Sequence, residues 1–308
     1  MGALQTTSTQ PAINLRRRLL IALIVTLLSG AVCYARLVSA QLVAADFTFP
    51  WRGARYLLAG ENPYALIRPT GPYPYNDSLY YPLPGLLVVL PFAPLPGSLA
   101  GALFIGISSG LLAYGLLREG AHRLLVFAGA PYIYAVITCQ WAPLITAAAL
   151  LPNLAPMLLA KPNLGLPVLL AYGTRRHLLL CAVTLLLSFA IWPTWPAAWL
   201  AALPQHTNFT PLLTWWGPPL LLALWQWRKP AARLLLAMAI VPQRLLYDQV
   251  ALWLIPTTLR TSLVLSVASW LGLMLGLLTG EGRWSLACVY LTALALILQQ
   301  GWAARQVG

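Results

Sequence analysis

Arg16-Arg17-Arg18 is followed by LLIALIVTLLSGAVCYARLVSA, residues 19–40. Three cations precede a run of about twenty residues that holds a single charge. As a helix, such a run crosses the hydrocarbon core of a bilayer, which takes roughly 20 residues. The triplet Val38-Ser39-Ala40 resembles a signal-peptide cleavage site. The apolar run reaches nearly to Ala45, however, longer than a signal core, and Arg36 interrupts the approach to the cleavage point. A retained first helix over Leu19–Val38, entered from a cytoplasmic N-terminus, is therefore expected.

The rest of the chain repeats this character. Of 308 residues, 60% are hydrophobic and 8% charged, against about 25% charged in an average soluble domain. So few charges cannot clothe a water-facing surface of this size. The apolar runs are continuous rather than alternating, which selects helices over a barrel. The expected fold is all-α: one integral membrane domain over residues 1–308, a polytopic transmembrane helical bundle of about ten membrane segments. The net charge of +13 would suggest nucleic acid in a soluble protein. Here the basic residues flank apolar runs, so no nucleic-acid partner is expected, and the partner is the lipid bilayer. Cys33, Cys139, Cys181 and Cys288 lie inside apolar runs without metal-ligand spacing and read as small core residues. No metal and no cofactor is expected. There is no phosphate-binding loop of the ATPase type and no zinc-protease motif.

After the first span comes a polar, aromatic loop, 44–82, with Asp46, Glu61 and Asp77, half of the six acids. Within it Trp51–Gly60 has the pattern of an amphipathic helix lying in the interface. Pro82–Pro96 reads as a proline-broken half-helix. Further segments are expected over about 98–117, 124–139, 154–172, 178–192, 212–227, 234–247, 250–259, 262–278 and 284–298. With the N-terminus inside, twelve of nineteen Lys and Arg fall on the cytoplasmic side: Arg16, Arg17, Arg18, Arg118, Arg123, Arg175, Arg176, Arg228, Lys229, Arg233, Arg260 and Arg305. Five of the six acids fall opposite: Asp46, Glu61, Asp77, Asp248 and Glu281. The expected location is a bacterial plasma membrane, crossed many times, with loop 44–82 and the active face outward.

Four features exceed what insertion requires. Asp46, at the end of the first span, is either a solvated terminus or a carboxylate held over a membrane cavity. Tyr80-Tyr81-Pro82-Leu83-Pro84 introduces the half-helix and, taken alone, reads as an interfacial aromatic belt with a proline entry. Lys161, inside an apolar stretch, either snorkels or faces a polar space suited to a lipid-linked phosphate; the depth favours the second. Gln140 would share that space. In Pro242-Gln243-Arg244-Leu245-Leu246-Tyr247-Asp248, Arg244 and Asp248 form either an i, i+4 pair or a sugar- or phosphate-binding set.

Taken in order, these residues resemble glycosyltransferase family 87, the polyprenol-phosphate-mannose-dependent α-mannosyltransferases. The likeness rests on Asp46-Phe47, on Arg55-Tyr56-Leu57-Leu58-Ala59-Gly60-Glu61-Asn62-Pro63-Tyr64, and on Tyr81-Pro82-Leu83-Pro84. It continues with Lys161-Pro162, with Pro242 and Tyr247-Asp248, and more loosely with Ile255-Pro256; the family's Gly-Gln element is half matched by Cys139-Gln140. The matches span about residues 45–256. The resemblance implies the C-type glycosyltransferase fold. It implies an inverting transfer of a sugar, mannose first, from a polyprenyl-phosphate donor to a glycan or glycolipid acceptor. Asp46 would be the general base, with Lys161 and Arg244 holding the donor phosphate. Arg55, Asn62, Tyr64, Tyr81, Gln140, Tyr247 and Asp248 would bind substrate. The chain departs from the family between Gln140 and Lys161. About twenty residues with Pro143, Pro152 and Pro156 leave room for a half-helix and part of a span, but not for a full down-and-up pair. A transporter or lipid flippase, or an inactive assembly partner, are the alternative readings.

Overall fold

The computed structural model describes residues 13–69, 73–74, 77–203, 209–242 and 245–306. In chain order the helices are α1 (Leu15–Ser39), α2 (Thr48–Leu58), α3 (Pro63–Leu66), α4 (Leu83–Val89), α5 (Gly97–Leu116), α6 (Ala130–Ile137), α7 (Ala142–Leu150), α8 (Pro162–Tyr172), α9 (Arg175–Ile191), α10 (Trp195–Ala202), α11 (Pro230–Ile240), α12 (Leu259–Thr279) and α13 (Arg283–Gln306). The only strands among the described residues are β1 (Ile67–Arg68) and β2 (Tyr73–Pro74), a two-residue parallel pair. The all-α expectation holds.

Four helices, α1, α5, α12 and α13, are long and apolar enough to cross a membrane; α9 and α10, bent by 98° at their junction, would together make a fifth. This corrects the expectation of about ten membrane segments. The reason is proline. An apolar run measures composition, whereas a span needs an unbroken hydrogen-bond ladder. The run expected over 154–172 is cut at Lys161-Pro162 into a 3₁₀ segment, Pro152–Leu159, and α8. The run over 124–139 becomes a 3₁₀ segment, Ala121–Ala128, and α6, which restarts at Pro131. The run over 212–227 is 3₁₀-wound from Pro218 to Gln226. The run over 234–247 stops at Ile240, before Pro242, and 250–259 falls mostly in a 3₁₀ segment, Leu246–Leu254. The half-helix over 82–96 and the amphipathic helix ending at Gly60 are both present, as α4 with a 3₁₀ turn at Leu90–Phe92 and as α2. Gly60 supplies the left-handed φ of 74° that stops α2.

α1 and α5 form an antiparallel pair. Arg18, at the start of α1, donates to Tyr114 O near the end of α5 at 3.4 Å. The helices approach through small residues: a Cβ at Gly106 would fall 2.7 Å from Thr26 O. The outer face of α1 is a continuous apolar surface, with Leu23, Leu27, Leu28 and Val32 exposed. The irregular pieces lie elsewhere. Ala142–Ala148 of α7 and every residue of Leu246–Leu254 are buried within the protein. Broken backbone at membrane depth is tolerated only in such an interior, where protein groups satisfy the freed donors and acceptors.

One finding bears on the sequence reading of 140–161, which left room for a half-helix and part of a span. Between Gln140 and Lys161 the chain does run down and back, as α7 and then Pro152–Leu159, with both arms at half length. Nine residues of α-helix advance only about 13 Å. The short hairpin thus returns Lys161 to the level of Gln140.

Candidate active site

The site is assembled from four chain breaks. Asp46 sits in a single 3₁₀ turn, Ala45–Phe47, directly beyond α1. Its amide donates to Thr138 O at the end of α6, 3.2 Å away. Phe47 anchors the turn, stacking on Phe104 of α5 at 4.3 Å between ring centroids, and Phe104 meets Trp141 edge-on at 4.9 Å. Asp46 and Gln140 each follow a residue with left-handed backbone: Ala45 at φ 46° and Cys139 at φ 55°. Non-glycine residues pay for that conformation, and it concentrates where a side chain must be aimed. At Cys139 it closes α6: Gln140 N–H reaches back to Ala135 O at 2.9 Å, the bond of a Schellman cap. A glycine would fit there without strain.

Gln140 is buried and bridges the site. Its Nε2 donates to Asp46 Oδ2, and its Oε1 accepts from Lys161 Nζ at 3.3 Å. Lys161 stands at the break before α8, in extended backbone of φ −138°. Its ammonium also donates to Asp248 Oδ1 at 2.8 Å and lies 4.5 Å above the Tyr247 ring. Asp248 is 1% exposed, and its second oxygen accepts the Leu245 amide at 3.2 Å, capping the Leu246–Leu254 segment. The result is a chain of contacts, Asp46–Gln140–Lys161–Asp248, drawn from residues 202 positions apart in sequence.

Burial pushes the Asp46 carboxyl above the ordinary carboxylate range; the Lys161 charge and the Gln140 hydrogen bond pull it back part of the way. Burial also raises the Tyr81 hydroxyl, helped by the charges of Asp46 and Asp248. The Tyr80 hydroxyl is pushed up to about 12 by burial and by its bond to Asp77.

These groups open on a cavity of about 690 Å³ lined by Asp46, Tyr81, Gln140, Lys161, Tyr247 and Asp248. Six of the site residues expected from sequence therefore meet in one place. Arg55, Asn62 and Tyr64 have local partners outside that lining. The Arg55 guanidinium lies 5.0 Å from the Trp51 ring centroid. Asn62 caps α3 by accepting the Tyr64 and Ala65 amides at 3.0 and 3.3 Å. Tyr64 donates to Tyr81 O at 2.9 Å, and so steadies a residue that does line the cavity. Arg244 lies outside the described residues. The cavity also takes in Asp77, Ser78, Tyr80, Asn163, Trp199 and Phe209, which sequence reasoning did not assign. Asp77 was visible as one of six acids. Trp199, whose indole donates to Tyr80 O at 2.8 Å, comes from α10, and no local pattern connects it to residue 80.

No family model, curated protein or solved structure matches this chain.

Proposed function

We propose that the chain is a multi-pass membrane glycosyltransferase of the C type, similar to family 87. It would move a sugar, mannose first, from a polyprenyl-phosphate donor to a glycan or glycolipid acceptor at the outer membrane face, with inversion. The observation that carries the reading is the meeting of Asp46 and Lys161 across Gln140 on one cavity wall. Such a transfer needs a base for the acceptor hydroxyl and a cation for the leaving phosphate, held apart but in register. Asp46 supplies the base. Its raised proton affinity makes it a stronger base than an ordinary carboxylate. Lys161 supplies the cation. An ammonium has three N–H donors; Gln140 and Asp248 take two, which leaves one for a phosphate oxygen. Arg244, four residues before Asp248, is assigned to the same phosphate. Asp248 pairs with the ammonium at 2.8 Å while no donor is bound.

The test is Asp46→Asn in full-length protein in nanodiscs, supplied with a polyprenyl-phosphate mannose and candidate acceptors. Transfer is expected to fall by about 10²–10⁴, the worth of a positioned base, with donor binding retained. Transfer at the wild-type rate would remove Asp46 as base. Wild-type protein that binds no donor, yet moves lipid-linked phosphate across liposomes, would replace the enzyme reading with the transporter one.

A further inference from the structure

At the end of the bundle opposite Asp46 there is a second, smaller cleft of about 330 Å³. It opens where α5, α7, α8 and the Leu246–Leu254 segment all finish, and Arg118, Glu119, Arg123 and Tyr172 provide its polar lining. Arg123 is 9% exposed, an unusual burial for a guanidinium. Its Nη1 is spent on the carbonyls of Trp253 and Leu254, at 3.5 and 3.1 Å. Among the described residues its Nε is buried without a partner, and its Nη2 makes a loose 3.7 Å pair with half-exposed Glu119. Nε and Nη2 form one edge of the guanidinium, the edge that grips an oxyanion with two parallel hydrogen bonds. Helix C-termini carry partial negative charge and would oppose an anion. Here three of those carbonyls are already covered: Arg123 takes the ones at 253 and 254, and Arg233 takes Ala171 O at 3.0 Å. In the cleft lining two guanidinium groups stand against one carboxylate, Glu119. Arg118 adds a second cation on the cleft wall and is exposed.

We propose that this cleft binds a phosphate group, gripped by the Nε–Nη2 edge of Arg123 and by Arg118, with Glu119 as the carboxylate it displaces. Bound phosphate would pin α5 to the last turn of the Leu246–Leu254 segment, whose first turn carries Asp248. This inference does not rest on the reading of the Asp46 site, and its readout uses no transfer activity.

Two sources share this chemistry, the headgroup of an anionic phospholipid and a free phosphate. Purified full-length protein in zwitterionic micelles is titrated with phosphatidylglycerol, with phosphatidylcholine and with inorganic phosphate, following the thermal midpoint. A ligand that binds only the folded state raises that midpoint in a saturable way. We expect phosphatidylglycerol or inorganic phosphate to do so; the first alone assigns a lipid headgroup, and an equal response to inorganic phosphate assigns a free anion. Arg118→Gln should weaken the apparent affinity about tenfold, the cost of one charge-assisted hydrogen bond. Glu119→Gln should tighten it, because it removes the competitor. Arg123→Lys keeps the charge but loses the fork and should abolish saturation. Arg16→Gln, the same charge change at an exposed residue that does not line the cleft, should leave the affinity unchanged. The proposal is overturned if neither ligand stabilises the wild type. It is equally overturned if Arg118→Gln and Glu119→Gln respond as Arg16→Gln does, since that would reduce the effect to the net charge.

Discussion

Asp46 is held between opposed influences, and burial outweighs Lys161 and Gln140. The folded chain therefore binds this proton more tightly than the unfolded chain does. Between the two proton affinities the native state carries the extra proton, so this group's contribution to stability declines as pH rises. Asp46→Asn is accordingly expected to unfold, at neutral pH, at the wild-type temperature or above it. In the proposed reaction the base must be ionised. The acid limb of kcat/KM should lie above the range of an ordinary carboxylate, and Lys161→Met, which removes the favourable charge, should move it to higher pH still. A limb that stays in place would separate Lys161 from the base electrostatically. Lys161→Met also strands the buried Asp248 carboxylate, at a cost of about 3–5 kcal/mol. Combining it with Asp248→Leu should restore most of that stability in thermal denaturation, without restoring transfer. At this scale the sequence was informative wherever a polar side chain stood in an apolar setting. Lys161, Gln140 and Asp248 each had to find a partner, and they found one another. Arg55 and Asn62 stood out only as members of a pattern, and their contacts are a ring face and a helix cap, roles that many residues in a polar loop can fill.

The secondary-structure elements obey two rules that apolar run length does not distinguish. α1, α5, α12 and α13 were legible because each has an unbroken ladder with charged or glycine-marked ends, such as Gly280 at φ 72° between α12 and α13. The segments over 121–172 and 218–226 are just as apolar, but Pro131, Pro143, Pro152, Pro162 and Pro218 restart the ladder there, and the resulting pieces run only eight to eleven residues. Whether a proline kinks a span or ends it depends on what surrounds it, and that is tertiary information. At 142–159 the reading held better: room for a half-helix and part of a span was expected, and two short arms of nine and eight residues fill it. Close approach is also an element property. Gly106→Val should drive a side chain into the Thr26 carbonyl and cost about 1–3 kcal/mol. It should loosen α1 from α5 and displace the Asp46 turn that follows α1. Unchanged denaturation in graded detergent would mean that the two helices part without cost.

Across the whole molecule, α1 and α12 keep most of their length on the outside, while α5, α7 and the Leu246–Leu254 segment lie inside, with one polar cavity toward each end of the bundle. Composition predicted the long helices; it was silent on the short inner pieces, because a buried 3₁₀ turn and a buried span have the same residues. The back of the Asp46 cavity is closed where α1 meets the turn after α6, and there Cys33 Sγ and Cys139 Sγ lie 3.2 Å apart, both shut away from water. Two thiols so near each other would bridge with little movement, but exchange proceeds through a thiolate that a disulfide reagent can reach. The reaction must wait until α1 swings off the turn. This contact is therefore a clock. Treated with diamide, the native protein should link residues 33 and 139 far more slowly than exposed thiols react, and the rate should give the frequency with which the rear wall of the cavity opens. Linking as fast as a model thiol would mean that the wall is not closed at all.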